Sequence, residues 1–179
     1  MPAHRFIVAD ANAHAVELIE LNVEYLTWVF EGIGRHFGIP QSEVAGTPAS
    51  EYAPAVIGQV CGDPPPRGIF YLIEVDGTLA GMGGLRFLHA GAAEIKRVYL
   101  RRQYRGMNLG AAIVERLLAD AAAFGYRHVF LDTAPFMAAA HRLYENSGFT
   151  DCAPYEGTEV PPAFHARWRF MCRSLQAQK

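Results

Sequence analysis

The sequence predicts an α/β fold of the α+β kind, in which a central mixed, mostly antiparallel twisted sheet carries helices on both faces. Three observations lead there. Asp76-Gly77 joins two apolar, strand-like runs, a strong hairpin signal that demands antiparallel pairing. A stretch with apolar residues at helical spacing, Leu109, Ile113, Leu117 and Ala121, separates two further strand-like runs, so the chain crosses over and pairs them in parallel. With 179 residues, 51% of them hydrophobic, the chain 1–179 has the size and composition of one compact domain.

Taken in order, Arg5 to Ala9 reads as a first strand. Asn12 can cap a helix that runs to about His36, with Val16, Ile19, Val23, Leu26 and Phe30 on its buried side and Gly32-Ile33-Gly34 as a break. Ala49 to Val60 is a second helix, softened near its start by Pro54. A stiff connector, Gly62 to Gly68, leads into strands at Ile69 to Val75 and Leu79 to Leu88. Ala92 to Leu100 is the next strand, and a period of two puts Glu94, Lys96, Val98 and Leu100 on one face and Ile95, Arg97 and Tyr99 on the other. After the long helix come a buried strand at Arg127 to Thr133, a helix opened by Pro135 that carries Tyr144, and a last strand from Phe164 to Met171.

The bulk properties exclude several classes. A formal charge of −2 leaves no basic face for nucleic acid, and the basic residues gather between Lys96 and Arg105, which suits a small polyanion. The cysteines, Cys61, Cys152 and Cys172, number three and have no Cys-x-x-Cys spacing. They predict neither a disulfide framework nor a zinc site, and they fit a reducing compartment. The histidines show no metal-binding spacing either, so no metal is expected. No run approaches the roughly 20 apolar residues of a membrane span, and the expectation is a soluble, cytoplasmic protein with no membrane partner.

The most informative segment is Arg105-Gly106-Met107-Asn108-Leu109-Gly110, where a strand breaks into a turn and re-emerges as the long helix. Unpaired first-turn N–H groups and the positive end of the helix dipole attract phosphate, and Gly106 and Gly110 let its oxygens approach the backbone. The order of residues is neither the three-glycine dinucleotide fingerprint nor a P-loop. It resembles instead the acyl-coenzyme A signature of the GNAT superfamily of N-acetyltransferases, Arg/Gln-x-x-Gly-x-Gly/Ala. Asn108 stands where the family usually has its first glycine, and Asn is the residue other than glycine that best tolerates positive φ. A second stretch, Ala138-Ala139-Ala140-His141-Arg142-Leu143-Tyr144-Glu145-Asn146-Ser147-Gly148-Phe149, looks like the family's closing helix. The resemblance spans about Phe70 to Phe149.

The resemblance implies a parallel strand pair that splays to admit the pantetheine arm, and an acetyl-CoA-dependent acyltransferase that acetylates the amine of a small molecule by direct transfer through a tetrahedral intermediate. It assigns cofactor contacts to Val98, Tyr99, Leu100, Arg105, Gly106, Met107, Asn108, Leu109, Gly110 and Ala111, with Arg101 and Arg102 adding charge nearby. Glu94 falls where relatives with a glutamate base hold it; its other reading is an ion pair with Lys96, Arg97 or another nearby cation on a solvated strand edge. Tyr144 matches the tyrosine that protonates the departing thiolate, its other reading being a core tyrosine. His141, one turn earlier, is a slot or packing residue. An acceptor pocket is implied between the N-terminal helices, the strand around Arg86 to His89 and the C-terminal hairpin, with Trp28 and Arg97 as substrate contacts. Arg97 offers a fork for a carboxylate, which points to an amino acid or related compound. Residues 155–163 could contribute to a homodimer. The rival reading is a non-catalytic acyl-CoA sensor or interaction module.

Overall fold

The computed structural model describes residues 3–40, 43–44 and 46–175. Seven strands form one sheet: β1 (His4–Val8), β2 (Ile69–Val75), β3 (Thr78–His89), β4 (Ala92–Leu100), β5 (His128–Thr133), β6 (Thr150–Asp151) and β7 (Arg169–Ser174). Their spatial order is β1-β2-β3-β4-β5-β7-β6. All neighbours are antiparallel except β4 and β5. The helices α1 (Ala15–Phe37) and α2 (Ala49–Cys61) pack on one face, and α3 (Leu109–Ala123) and α4 (Ala138–Asn146) on the other.

The β2–β3 hairpin turns where expected. Asp76 and Gly77 both have positive φ, 49° and 78°, as a two-residue turn that matches strand twist requires. Alternate residues of β2 then enter different cores: Tyr71 and Ile73 meet Ile113 and Leu117 of α3, whereas Phe70 and Leu72 meet Leu18 and Leu21 of α1. A strand covered on both sides reads as continuous apolar sequence because neither face can afford a polar residue.

Several expectations shift. Asn12 does not cap α1: the N-cap position is His14, which makes no side-chain cap bond, and Asp10 instead closes the preceding turn, its carboxylate accepting the N–H groups of Asn12 at 2.9 Å and Ala13 at 2.7 Å. Val16 is 74% exposed, and the buried stripe runs through Leu18, Leu21, Leu26, Val29, Phe30 and Ile33. The stripe differs because α1 leans first on the sheet and then on α2, so two neighbours in succession select its buried side. Gly32 and Gly34 do not break it. A Cβ on Gly32 would overlap the Phe136 ring, so glycine there permits a close approach, and the helix ends at Gly38 with φ 68°. In the C-terminal segment only the last three residues of the expected strand, Arg169 to Met171, are in β7, which continues to Ser174. Pro162–Arg167 is a 3₁₀ turn led by Pro161, whose aromatic Phe164 packs against Phe37 instead of joining the sheet.

The largest correction concerns β4. Gly84 pairs with Lys96 but Met82 pairs with Tyr99, so two residues, Arg97 and Val98, oppose Gly83. Arg97 is the extra residue of this bulge, with φ 57°. The inserted residue flips the alternation: Ile95 and Val98 both face the α3 core, while Tyr99 turns to the α1 side. Val98 and Leu100 therefore do not share a face with Glu94 and Lys96.

Candidate active site

β4 and β5 pair only at Ala92–His128, Ala93–Val129 and Glu94–Phe130. Beyond Glu94 the strands part, and a cavity of about 380 Å³ opens beside Ile95, Arg97, Val98, Asp132 and Thr133. Its outer wall comes from α1 and α2 through Tyr25, Trp28, Phe30 and Tyr52, and from the C-terminal segment through Glu159, Phe164 and Trp168. Tyr144 of α4 closes the other side. The strand around Arg86 to His89, expected to line it, does not.

Beyond the end of β4 the chain makes the turn into α3. Gly106 (φ 79°) and Asn108 (φ 61°) are both left-handed, and Asn108 makes no side-chain cap. The first bond closing the helix runs from Ala112 N–H to Asn108 C=O at 3.2 Å, which leaves the N–H groups of Leu109, Gly110 and Ala111 for an anion. A Cβ on Gly106 would meet nothing, so its glycine answers a backbone need rather than a lack of room. Gly110 is different: a Cβ there would sit 3.2 Å from Leu143, so it sets how closely α3 and α4 approach. Asn108 and Ala111 also line a groove of about 810 Å³ between these helices, together with Leu143 and Asn146. An uncommitted helix N-terminus, an open turn and an unpaired strand edge together fit a nucleotide-linked pantetheine.

Charge near the turn is partly spent. Arg101 is bound by Glu20 and Glu24 of α1 and by the Leu79 carbonyl, so it cannot serve phosphate. Arg105 donates to the Leu100 carbonyl at 2.9 Å and lies over the rings of Trp28 and Tyr99 at 5.5 and 5.8 Å. Arg102 is exposed. The side chains of Leu100 and Leu109 belong to the α3 core, with Met107 packed on it, so any ligand contact from these positions is through backbone.

Glu94 is fully buried, but it sits behind the cavity wall rather than on it. Arg86 donates to one carboxylate oxygen, Tyr155 donates to the other at 2.6 Å, and Lys96 Nζ lies 3.7 Å away. Burial pushes its carboxyl above the usual range against the pull of Lys96 and Arg86. Lys96 in turn holds Glu159 at 2.5 Å. Burial raises Glu159, but Lys96 and Arg86 outweigh it and hold that carboxyl below its ordinary value. Asp132 accepts Trp168 Nε1–H at 2.8 Å.

Tyr144 is 7% exposed, stacks edge-on against Phe149 at 6.0 Å, and has its phenol pushed up by burial, so it stays protonated. His141 faces the Ala134 carbonyl at 3.0 Å and fixes the start of α4 instead of lining the cavity. Trp28 and Arg97 are both on the wall. The residues that sequence reasoning missed, Asp132, Tyr155 and Glu159, carry no motif; two of them sit in an irregular segment whose position only the folded chain defines.

The sequence model of the acetyltransferase (GNAT) family matches residues 37–149, and the chain belongs to this family. An uncharacterized N-acetyltransferase of Schizosaccharomyces pombe is 32% identical over 105 residues, which are 58% of this chain and 64% of that one. N-acetylaspartate synthetase of Mus musculus is 31% identical over 86 residues, 48% of this chain and 29% of the mouse protein. The chain thus matches less than two thirds of either relative's length. Among solved structures, the PaiA N-acetyltransferase of Thermoplasma acidophilum in complex with coenzyme A superposes with a TM-score of 0.70 at 16% identity, covering 97% of this chain and 99% of that one. That likeness is one of fold. Among the described residues no cluster of metal-ligating side chains occurs, and no helix is long and apolar enough to cross a membrane.

Proposed function

We propose that the protein is an acetyl-CoA-dependent N-acetyltransferase acting on a small-molecule amine. The observation that carries this reading is the parting of β4 from β5 beyond Glu94, which opens a cavity that Tyr144 closes on one side. Acetyl-CoA would supply the acetyl group as an activated thioester. The α3 turn binds the pyrophosphate through the N–H groups of Leu109, Gly110 and Ala111, and the free edge of β4 at Val98 holds the arm by backbone hydrogen bonds. A backbone N–H at Val98 or Tyr99 faces the developing oxyanion, an interaction worth about 3 kcal/mol in comparable sites. Transfer is direct: the amine nitrogen bonds to the acetyl carbon, the carbon–sulfur bond breaks, and Tyr144 gives its proton to the sulfur.

The amine must lose a proton. Since Glu94 does not reach the cavity, its part as proton acceptor requires a relay. Lys96 Nζ is 2.5 Å from Glu159 but 3.7 Å from Glu94, beyond hydrogen-bond reach, so the proton goes to a carboxylate that lines the cavity, Asp132 or Glu159, and not to Glu94. The test is titration calorimetry with acetyl-CoA on the wild type and on Gly106→Glu, followed by thiol release with a panel of small amines. Micromolar binding that Gly106→Glu abolishes, with thiol release for at least one amine, is the expected result. Binding without release for any amine would favour an acyl-CoA sensor, and no binding would end the reading.

A further inference from the structure

Two charged side chains on the cavity wall have no ion-pair partner within 4 Å among the described residues. Lys96 and Glu159 neutralise each other at 2.5 Å, whereas Arg97 and Asp132 enter no ion pair among the described residues. Arg97 is 8% exposed, and its buried Nε has no hydrogen-bond partner among them. A buried guanidinium donor left unpaired costs free energy, and here it is held in a left-handed backbone conformation, φ 57°, that a long side chain rarely adopts. The bulge at Arg97 thus places its guanidinium against the cavity and over the Tyr25 ring at 5.3 Å, on the α1 face.

We propose that the acceptor is an α-amino acid with an apolar or aromatic side chain, its carboxylate bound by Arg97 and its amino group turned toward Asp132. This rests on the acetyltransferase reading. A zwitterion matches one free cation and one free anion, and Arg presents a fork suited to carboxylate. Trp28, Phe30, Tyr52 and Phe164 supply an apolar wall for the side chain. The volume of about 380 Å³, at the small end for ligand sites and shared with the thioester, suits an amino acid better than a larger acceptor. A polyamine would leave Arg97 unmatched.

The experiment is calorimetry of the protein, with and without CoA, against L-phenylalanine, L-leucine and L-methionine, and against 2-phenylethylamine as the analogue of the first without its carboxylate. Charge-assisted hydrogen bonds in a buried site predict that the wild type binds L-phenylalanine or another of the three at least about 10-fold more tightly than the amine. Arg97→Asn, which keeps a residue tolerant of positive φ, should collapse that preference to below about threefold, with Arg97→Lys retaining part of it. Equal binding of acid and amine by the wild type overturns the proposal without recourse to any variant. So does failure of all three amino acids to bind, or a preference that survives in a folded Arg97→Asn. Thiol release from acetyl-CoA in the same samples separates the two readings: selective binding without release leaves the carboxylate subsite standing and removes the acetyltransferase.

Discussion

Replacing Tyr144 by Phe isolates the phenol. The ring stays in place against Phe149, and no described protein group hydrogen-bonds the hydroxyl, so its removal orphans nothing and stability should move by less than about 0.5 kcal/mol. The catalytic effect is another matter. A phenol of ordinary pKa about 10 already donates uphill to a thiolate of about 8.5, and burial raises it further. In the proposed mechanism the phenol therefore stays protonated, hydrogen-bonds the sulfur and gives up its proton only late, as sulfur charge develops. A charge-assisted hydrogen bond of about 1.5–3 kcal/mol corresponds to a loss of roughly 10- to 150-fold in turnover. Thiol release with the best amine of a panel gives kcat, and calorimetry gives the acetyl-CoA Kd, which should change less than about twofold. Turnover within a factor of two of wild type would refute the role and return Tyr144 to the core.

The other expectations concern binding, stability and pH. Gly106→Glu puts a carboxylate and a strained φ into the anion turn and should weaken acetyl-CoA binding by at least about 100-fold by calorimetry, with the thermal transition largely kept. Asn22 is fully buried with its carbonyl oxygen unpartnered, so Asn22→Leu should raise stability by about 1 kcal/mol in urea titration, or about 2–4 °C in Tm. Because Glu159 is held below its ordinary value in the fold, its contribution to stability is present above the unfolded carboxylate pKa and lost as pH falls through the lower folded value. Thermal melts of Glu159→Gln should accordingly converge with those of wild type on acidification.

Much of the fold was legible because its signals are local. The Asp76-Gly77 turn, the helical period from Leu109 and the strand from Ala92 to Leu100 depend on short-range backbone preference and hold at their expected positions. The same is true of the anion turn, where Asn108 takes the left-handed conformation that its side chain tolerates. The parallel pairing of β4 with β5 followed from the length of the crossover alone.

What sequence could not fix was every choice made between distant segments. The stripe that α1 buries depends on two partners in turn. The face that Val98 presents depends on one residue inserted opposite Gly83, and a period of two contains no information about such an insertion. Glu94 lies on the expected strand, yet its withdrawal from the cavity is decided by Arg86, Tyr155 and Lys96, two of which come from other elements. Sequence by itself determined most of the elements, the family and the turn proposed to bind an anion, because these are encoded within a few consecutive residues. Tertiary structure alone decided which charges are spent on one another and which, at Arg97 and Asp132, remain free, because ion pairing is a property of distance in space.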